Sequence, residues 1–126
     1  MNVLIDSNIL IYFINGQLSA HAKQCFEDAI LNNATYSSIT RIEVIGWSGH
    51  TLESRQKTLA ILDLMQEITL TEKVILKTIQ LREQYRIKLP DAIIAASALC
   101  HDLQLMTHNS KDFKDMDIQL FDPFEE

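Results

Sequence analysis

The sequence is short of the residues that mark several broad protein classes. Gly (3) and Pro (2) are too few for a linker, a low-complexity tract or a turn-rich all-β fold. Cysteine occurs only at Cys25 and Cys100, far apart and without metal-ligand spacing, so buried reduced thiols are expected rather than a disulfide or a zinc pair. No apolar run reaches the roughly 18 residues needed to cross a bilayer. The amino terminus has neither a basic segment ahead of its apolar run nor a small-residue cleavage site. A cytoplasmic protein with no membrane contact is expected. Cations are in deficit too: 11 Lys and Arg stand against 17 Asp and Glu, a net charge of −6. That argues against a generic nucleic-acid coat, which neutralises phosphates with surplus basic residues. A nuclease stays open, because divalent cations at converging acids cancel the charge locally.

What is present fits one compact domain, residues 1–126. The chain has 14.4 kDa, 47% apolar and 22% charged residues, enough for a single continuous core. "NVLI" (2–5) reads as a strand, after which Ser7 is placed to cap a helix through "NILIYFIN" to an Asn15-Gly16 stop. Ser19 caps "AHAKQCFEDAIL", where Ala22, Cys25, Phe26, Ala29 and Ile30 recur at helical spacing. "ATYSSI" (34–39) is a second strand, and Thr40 stands where it would cap "RIEVIGW", putting Glu43 in the first turn. A helix over 52–65, a strand over 67–70 and a helix after Thr71 follow, the last with a stripe of Val74, Ile75, Thr78, Ile79 and Arg82. "LPDAIIAASALCHDL" (89–103) carries Pro90 at a helix start and is apolar on nearly every side. "LQLMT" (103–107) and "IQLF" (118–121) are further strands, separated by the polar "HNSKDF" (108–113).

Strands alternating with helices predict a three-layer α/β/α fold around a mainly parallel sheet of four to five strands. In such sheets ligands bind outside the carboxyl ends of the strands. Asp6 follows the first strand, Glu43 the second, Asp91 opens the late helix, and Asp112 follows the strand after it. Each acid alone is explained as a cap or first-turn residue favoured by the helix dipole. Together at one crevice they would repel one another, and a fold keeps such an arrangement mainly when cations hold it. Hard Mg²⁺ or Mn²⁺ suits an all-oxygen donor set; the scattered His21, His50, His101 and His108 offer no zinc spacing.

"LIDSNILIYF", "TRIEV", "LPDAIIAASAL" and "MTHNSKDF" together resemble, in order and separation, the four acidic motifs of PIN-domain ribonucleases. The likeness spans nearly the whole chain and is strongest to VapC-type toxins of toxin–antitoxin pairs. It implies that Asp6, Glu43, Asp91 and Asp112 are the catalytic, metal-binding acids. Ser7 and Asn109 fall at the motifs' supporting polar positions; Thr40, by its place alone, could orient Glu43, bind a phosphate or simply cap the helix, the cap being the simplest reading. His108 stands where many members of the family have Arg or Asn. It further implies an RNA substrate such as a tRNA, a cognate antitoxin protein and a homodimer, with the early helices forming part of the partner groove.

Arg41, Arg86, Lys88, His108 and Lys111 flank the motifs and are the candidate RNA contacts. Tyr12, Phe13 and Trp47 lie in apolar helical stretches and are expected in the core. The rival reading is a degenerate PIN domain that binds RNA or protein without cutting. A haloacid-dehalogenase-like phosphatase fits less well, because Asn8 stands where a second Asp is needed. So does a response receiver, whose further acid pair and late Lys have no counterpart.

Overall fold

In the computed structural model, residues 2–125 are described. The first apolar run forms β1 (Val3–Ile5), and its pleat sets the layering, since Leu4 faces one core and Ile5 the other. Helices α1 (Ser7–Ile14) and α2 (Ala20–Leu31) lead to β2 (Thr35–Ser37), and α3 (Ser38–Ile45) and α4 (Leu52–Leu62) lead to β3 (Gln66–Ile68). After α5 (Glu72–Gln84) and α6 (Leu89–Cys100) come β4 (Gln104–Met106), a 3-10 turn (Ser110–Asp112) and β5 (Leu120–Phe121).

The five strands are all parallel, in the order β3-β2-β1-β4-β5. Leu4, Leu105, Val74, Leu81 and Ile94 pack on the α5–α6 side, while Ile5, Met106, Ile9, Phe26, Val44 and Leu62 pack beneath α1 to α4. This is the expected three-layer arrangement. Every residue from Ala92 to Ala98 is buried, so α6 is the enclosed helix that its unbroken apolar sequence predicts, and its alanines let α5 pack against it. The chain steps from β1 outward to β3, then returns to place β4 and β5 on the other flank of β1. The strand order therefore reverses between β1 and β4, and the crevice beyond their carboxyl ends is where such a sheet takes a ligand.

Several boundaries differ from the sequence reading. Asp6, not Ser7, is the N-cap of α1, its carboxylate accepting the Ser7 N–H. Ser37 caps α3 through the Ile39 N–H, so the helix begins before Thr40 and Glu43 falls in its second turn rather than its first. In α5 the buried stripe is Val74, Thr78 and Leu81; Ile79 is 51% exposed and Arg82 is exposed, because a period of 3.6 carries the stripe on to Leu81. Helix α6 stops at Cys100, short of residue 103, where Asp102 turns into left-handed backbone (φ 52°). The Asn15-Gly16 stop does end α1, with Gly16 at φ 67°. Both cysteines are free, but each is half-buried rather than buried. Tyr12, Phe13 and Trp47 are likewise half-buried. No helix among the described residues is long and apolar enough to cross a membrane.

Candidate active site

Asp6 leaves β1 with its backbone N–H bonded to Met106 O at 2.9 Å, which fixes it at the point where the strand order reverses. Its side chain is buried, Oδ1 accepting the Ser7 N–H at 2.8 Å and Oδ2 the Thr107 hydroxyl at 2.7 Å. Burial pushes this carboxyl up from 3.8 to about 6; the two hydrogen bonds oppose the rise, and the charges of Asp91 and Glu43 add to it.

Glu43 arrives from α3. Ser7 Oγ lies 2.8 Å from Glu43 Oε1 and 3.0 Å from Thr40 Oγ1. Ser7 has one hydroxyl proton and a carboxylate only accepts, so Ser7 donates to Glu43 while the fully buried Thr40 donates to Ser7. Thr40 thus supports Glu43 through Ser7 and is not a cap. Asp91 stands in the first turn of α6 behind Pro90. Burial raises its carboxyl first, Asp112 and Glu43 raise it further, and Lys88 pulls the other way.

Glu43, Asp91, Asp112 and Asn109 line a cleft of about 700 Å³ whose wall also carries Arg86, Lys88 and Lys111. Asp6 is not among the lining residues, but it lies close enough to Asp91 and Glu43 to feel their charges. Two expected RNA contacts lie elsewhere. Arg41 pairs with Glu67 at 3.1 Å beside an apolar groove between α3 and α4, and His108 Nδ1 pairs with Asp122 at 3.1 Å. The sequence reading passed over Thr107, which follows β4 as Asp6 follows β1 and meets it across the strand reversal. That symmetry of position was its available signal.

Among the described residues no three His, Cys, Asp or Glu side chains are drawn into a ready-made metal cage. The donor chemistry nonetheless fits a hard divalent cation. The acids offer only oxygen, two are raised by burial and by neighbouring carboxylates, and Lys88 on Asp91 is the one cation that offsets either shift. Residues 3–119 match the model of the PIN domain. The chain belongs to the PIN domain family.

This PIN domain is similar over its length to a chain of a toxin–antitoxin complex from Klebsiella pneumoniae, at 32% identity, 99% of this chain, 100% of that one and a TM-score of 0.81. It is also similar to a chain of VapBC2 from Rickettsia felis bound to a promoter DNA fragment (27% identity, 96% and 98% covered, TM-score 0.80). A third likeness is to VapBC-1 from nontypeable Haemophilus influenzae (25% identity, 99% and 100% covered, TM-score 0.80). Comparison with curated proteins finds no match.

Proposed function

We propose that this PIN domain is a VapC-type toxin, a Mg²⁺- or Mn²⁺-dependent endoribonuclease that cuts structured RNA such as a tRNA and is held inactive by a cognate antitoxin. The observation that supports the reading is that carboxylates from α3, from the start of α6 and from the turn after β4 line one cleft, while the buried Asp6 at the end of β1 lies close enough to feel the charges of Asp91 and Glu43. When bound, a divalent cation supplies Lewis acidity toward the scissile phosphate and lowers the pKa of water. Asp6, Glu43 and Asp91 would hold it, with Asp112 as a fourth ligand and Asn109 beside it. Ser7 and Thr40 orient Glu43; Thr107 and the Ser7 N–H orient Asp6. Arg86, Lys88 and Lys111 face the same cleft and give the RNA backbone its counter-charge, local compensation that the overall charge of −6 conceals.

The antitoxin reading rests on the likeness to chains of toxin–antitoxin complexes. Apolar surface suited to partners exists on α3 and α4, where Ile42 (67% exposed) and Leu59 line a groove, and on α5, where Leu76 and Ile79 stand out. A homodimer and a cytoplasmic location belong to the same proposal. The rival, a PIN domain that binds without cutting, draws on the carboxylates not being gathered into a metal cage.

A Mn²⁺ titration of the wild-type protein, read by melting temperature and by cleavage of a bulk tRNA pool, tests the proposal. Binding only to the native acid cluster stabilises the fold by about 2.7 kcal/mol at a hundred times Kd, so both readouts should rise together. No thermal shift at millimolar Mn²⁺ would overturn the metal site, and a shift without cleavage would favour the binding module.

A further inference from the structure

The segment joining β4 to the turn that carries Asp112 is tied down at each residue. Thr107 donates its hydroxyl to Asp6, accepts the Asn109 N–H at 3.0 Å and the Asn8 amide at 3.5 Å, and its own N–H reaches Phe121 O at 3.0 Å. Asn109 O then accepts the Asp112 N–H at 3.0 Å, opening the turn that brings Asp112 to the cleft. Between them, the His108 ring rests against aromatic neighbours and an acid, with its side chain still 39% exposed. Its ring lies 4.3 Å from that of Phe124 and 5.6 Å from Tyr12, the latter edge-on, and Tyr12 and Phe124 themselves meet at 5.4 Å. Its Nδ1 faces both oxygens of Asp122, at 3.2 and 3.1 Å, while Asp122 Oδ1 also accepts the Phe124 N–H at 3.0 Å. The Asp122 side chain is only 7% exposed, so this carboxylate is committed to these contacts and not to solvent.

We propose that His108 and Asp122 are positioning residues: the stretch after β5 grips the loop after β4 through His108 and thereby sets where Asp112 and Asn109 stand at the cleft. His108 then acts on the site through the loop it anchors. The grip comes from both flanks, with α1 contributing Asn8 and Tyr12, one turn apart on one face, and the chain end contributing Asp122 and Phe124. Groups that orient a metal ligand typically change metal affinity by about 10- to 100-fold when removed. The inference rests on the metal-nuclease reading for its effect on cleavage, but its structural core can be measured without metal.

The experiment compares wild type, Asp122→Ala, Asp122→Asn and His108→Ala by amide hydrogen exchange of the metal-free protein and by Mn²⁺-dependent cleavage. In Asp122→Asn, Oδ1 still accepts the Phe124 N–H and the new NH₂ donates to Nδ1 of the His108 tautomer that carries its proton on Nε2, so the variant should behave as wild type. Asp122→Ala and His108→Ala should speed exchange at 108–113 by about tenfold or more while leaving α5 and α6 unchanged. They should also raise the Mn²⁺ needed for half-maximal cleavage on the order of tenfold, with the rate at saturating Mn²⁺ within about twofold of wild type. Unchanged exchange over 108–113 in both variants overturns the proposal, whatever the metal does. Should Asp122→Ala not fold, His108→Ala decides by the same criterion. Faster exchange in a protein whose wild type shows no Mn²⁺ response would keep the grip and sink the nuclease reading.

Discussion

Replacing Asp6 by Asn separates the electrostatic cost of the site from its hydrogen bonding. The carboxyl is raised from 3.8 to about 6, chiefly by burial, so its ionised form disfavours the native state. At about 1.4 kcal/mol per pH unit, that is roughly 3 kcal/mol at neutral pH without metal. The sign follows from the raised folded value: Asp6 gives its full stability below about pH 4, and that contribution is lost as pH climbs through 6. Asn removes the titration but mispairs. Its NH₂ must face either the Ser7 N–H or Thr107 Oγ1, whose lone pairs are already used by Asn109 and Asn8. Mispairing costs roughly 1–3 kcal/mol at any pH. The absolute change at pH 7.5 is therefore a small difference of two terms, whereas its pH dependence is not. Urea denaturation in a chelating buffer should show the variant gaining about 2–3 kcal/mol on wild type between pH 4 and pH 7.5. Parallel stability curves over that range would refute the burial of an ionisable Asp6 at the strand reversal.

Asp91→Asn should abolish RNA cleavage while leaving the metal-free melting temperature equal or higher, since burial and the charges of Asp112 and Glu43 disfavour its ionised form. Asp112→Asn should raise the Mn²⁺ concentration for half-maximal tRNA cleavage far more than it lowers the saturating rate; superimposable titrations would remove Asp112 from the site. Ser7→Ala should leave Thr40 without its acceptor and Glu43 without its donor, costing about 1–3 kcal/mol in denaturant melts and weakening cleavage, with Ser7→Thr restoring much of both. Gly16→Ala should cost about 1 kcal/mol of stability through left-handed strain alone, because open space surrounds the position, and activity should not change.

Periodicity and placement made the architecture legible: the alternation of elements, the buried α6 and the parallel sheet all follow from residue patterns. Local capping was less legible. Ser37, Ser38 and Thr40 are all competent near the start of α3, and only the β2 hydrogen bonds that end at Ser37 decide which of them caps. The four acids could be named because each follows a strand or opens a helix in the sequence pattern; Asp6 and Asp91 hold those places, whereas Glu43 stands in the second turn of α3 and Asp112 in a 3-10 turn. Thr107 shares the place just past a strand, but neither its contact nor that of Asp122 can be read from position. Their importance comes from partners 101 and 14 residues away, Asp6 and His108, and no spacing in the sequence shows a contact of that kind. Arg41 shows the reverse, since nearness to a motif along the chain did not bring it to the cleft lining; α3 turns it toward Glu67.

The choice of partners for the acids bears on how the site works. Asp6 is held by a backbone N–H and a hydroxyl, and Glu43 by a hydroxyl, all neutral donors. An Arg or Lys in the same places would hold the carboxylates as firmly, lower their pKa values and stabilise the metal-free fold, but it would also supply the positive charge that a cation brings. Neutral donors fix the oxygens in place and leave their charge uncompensated. Arg86, Lys88 and Lys111 line the same cleft, and of them Lys88 acts on Asp91. On the proposed metal-nuclease reading, stability and metal affinity are linked: the charge that destabilises the metal-free fold is what would give a divalent cation its affinity. Variants that stabilise the metal-free protein by neutralising Asp6 or Asp91 must then weaken Mn²⁺ binding, and a stabilised variant with undiminished Mn²⁺ affinity by calorimetry would break that link.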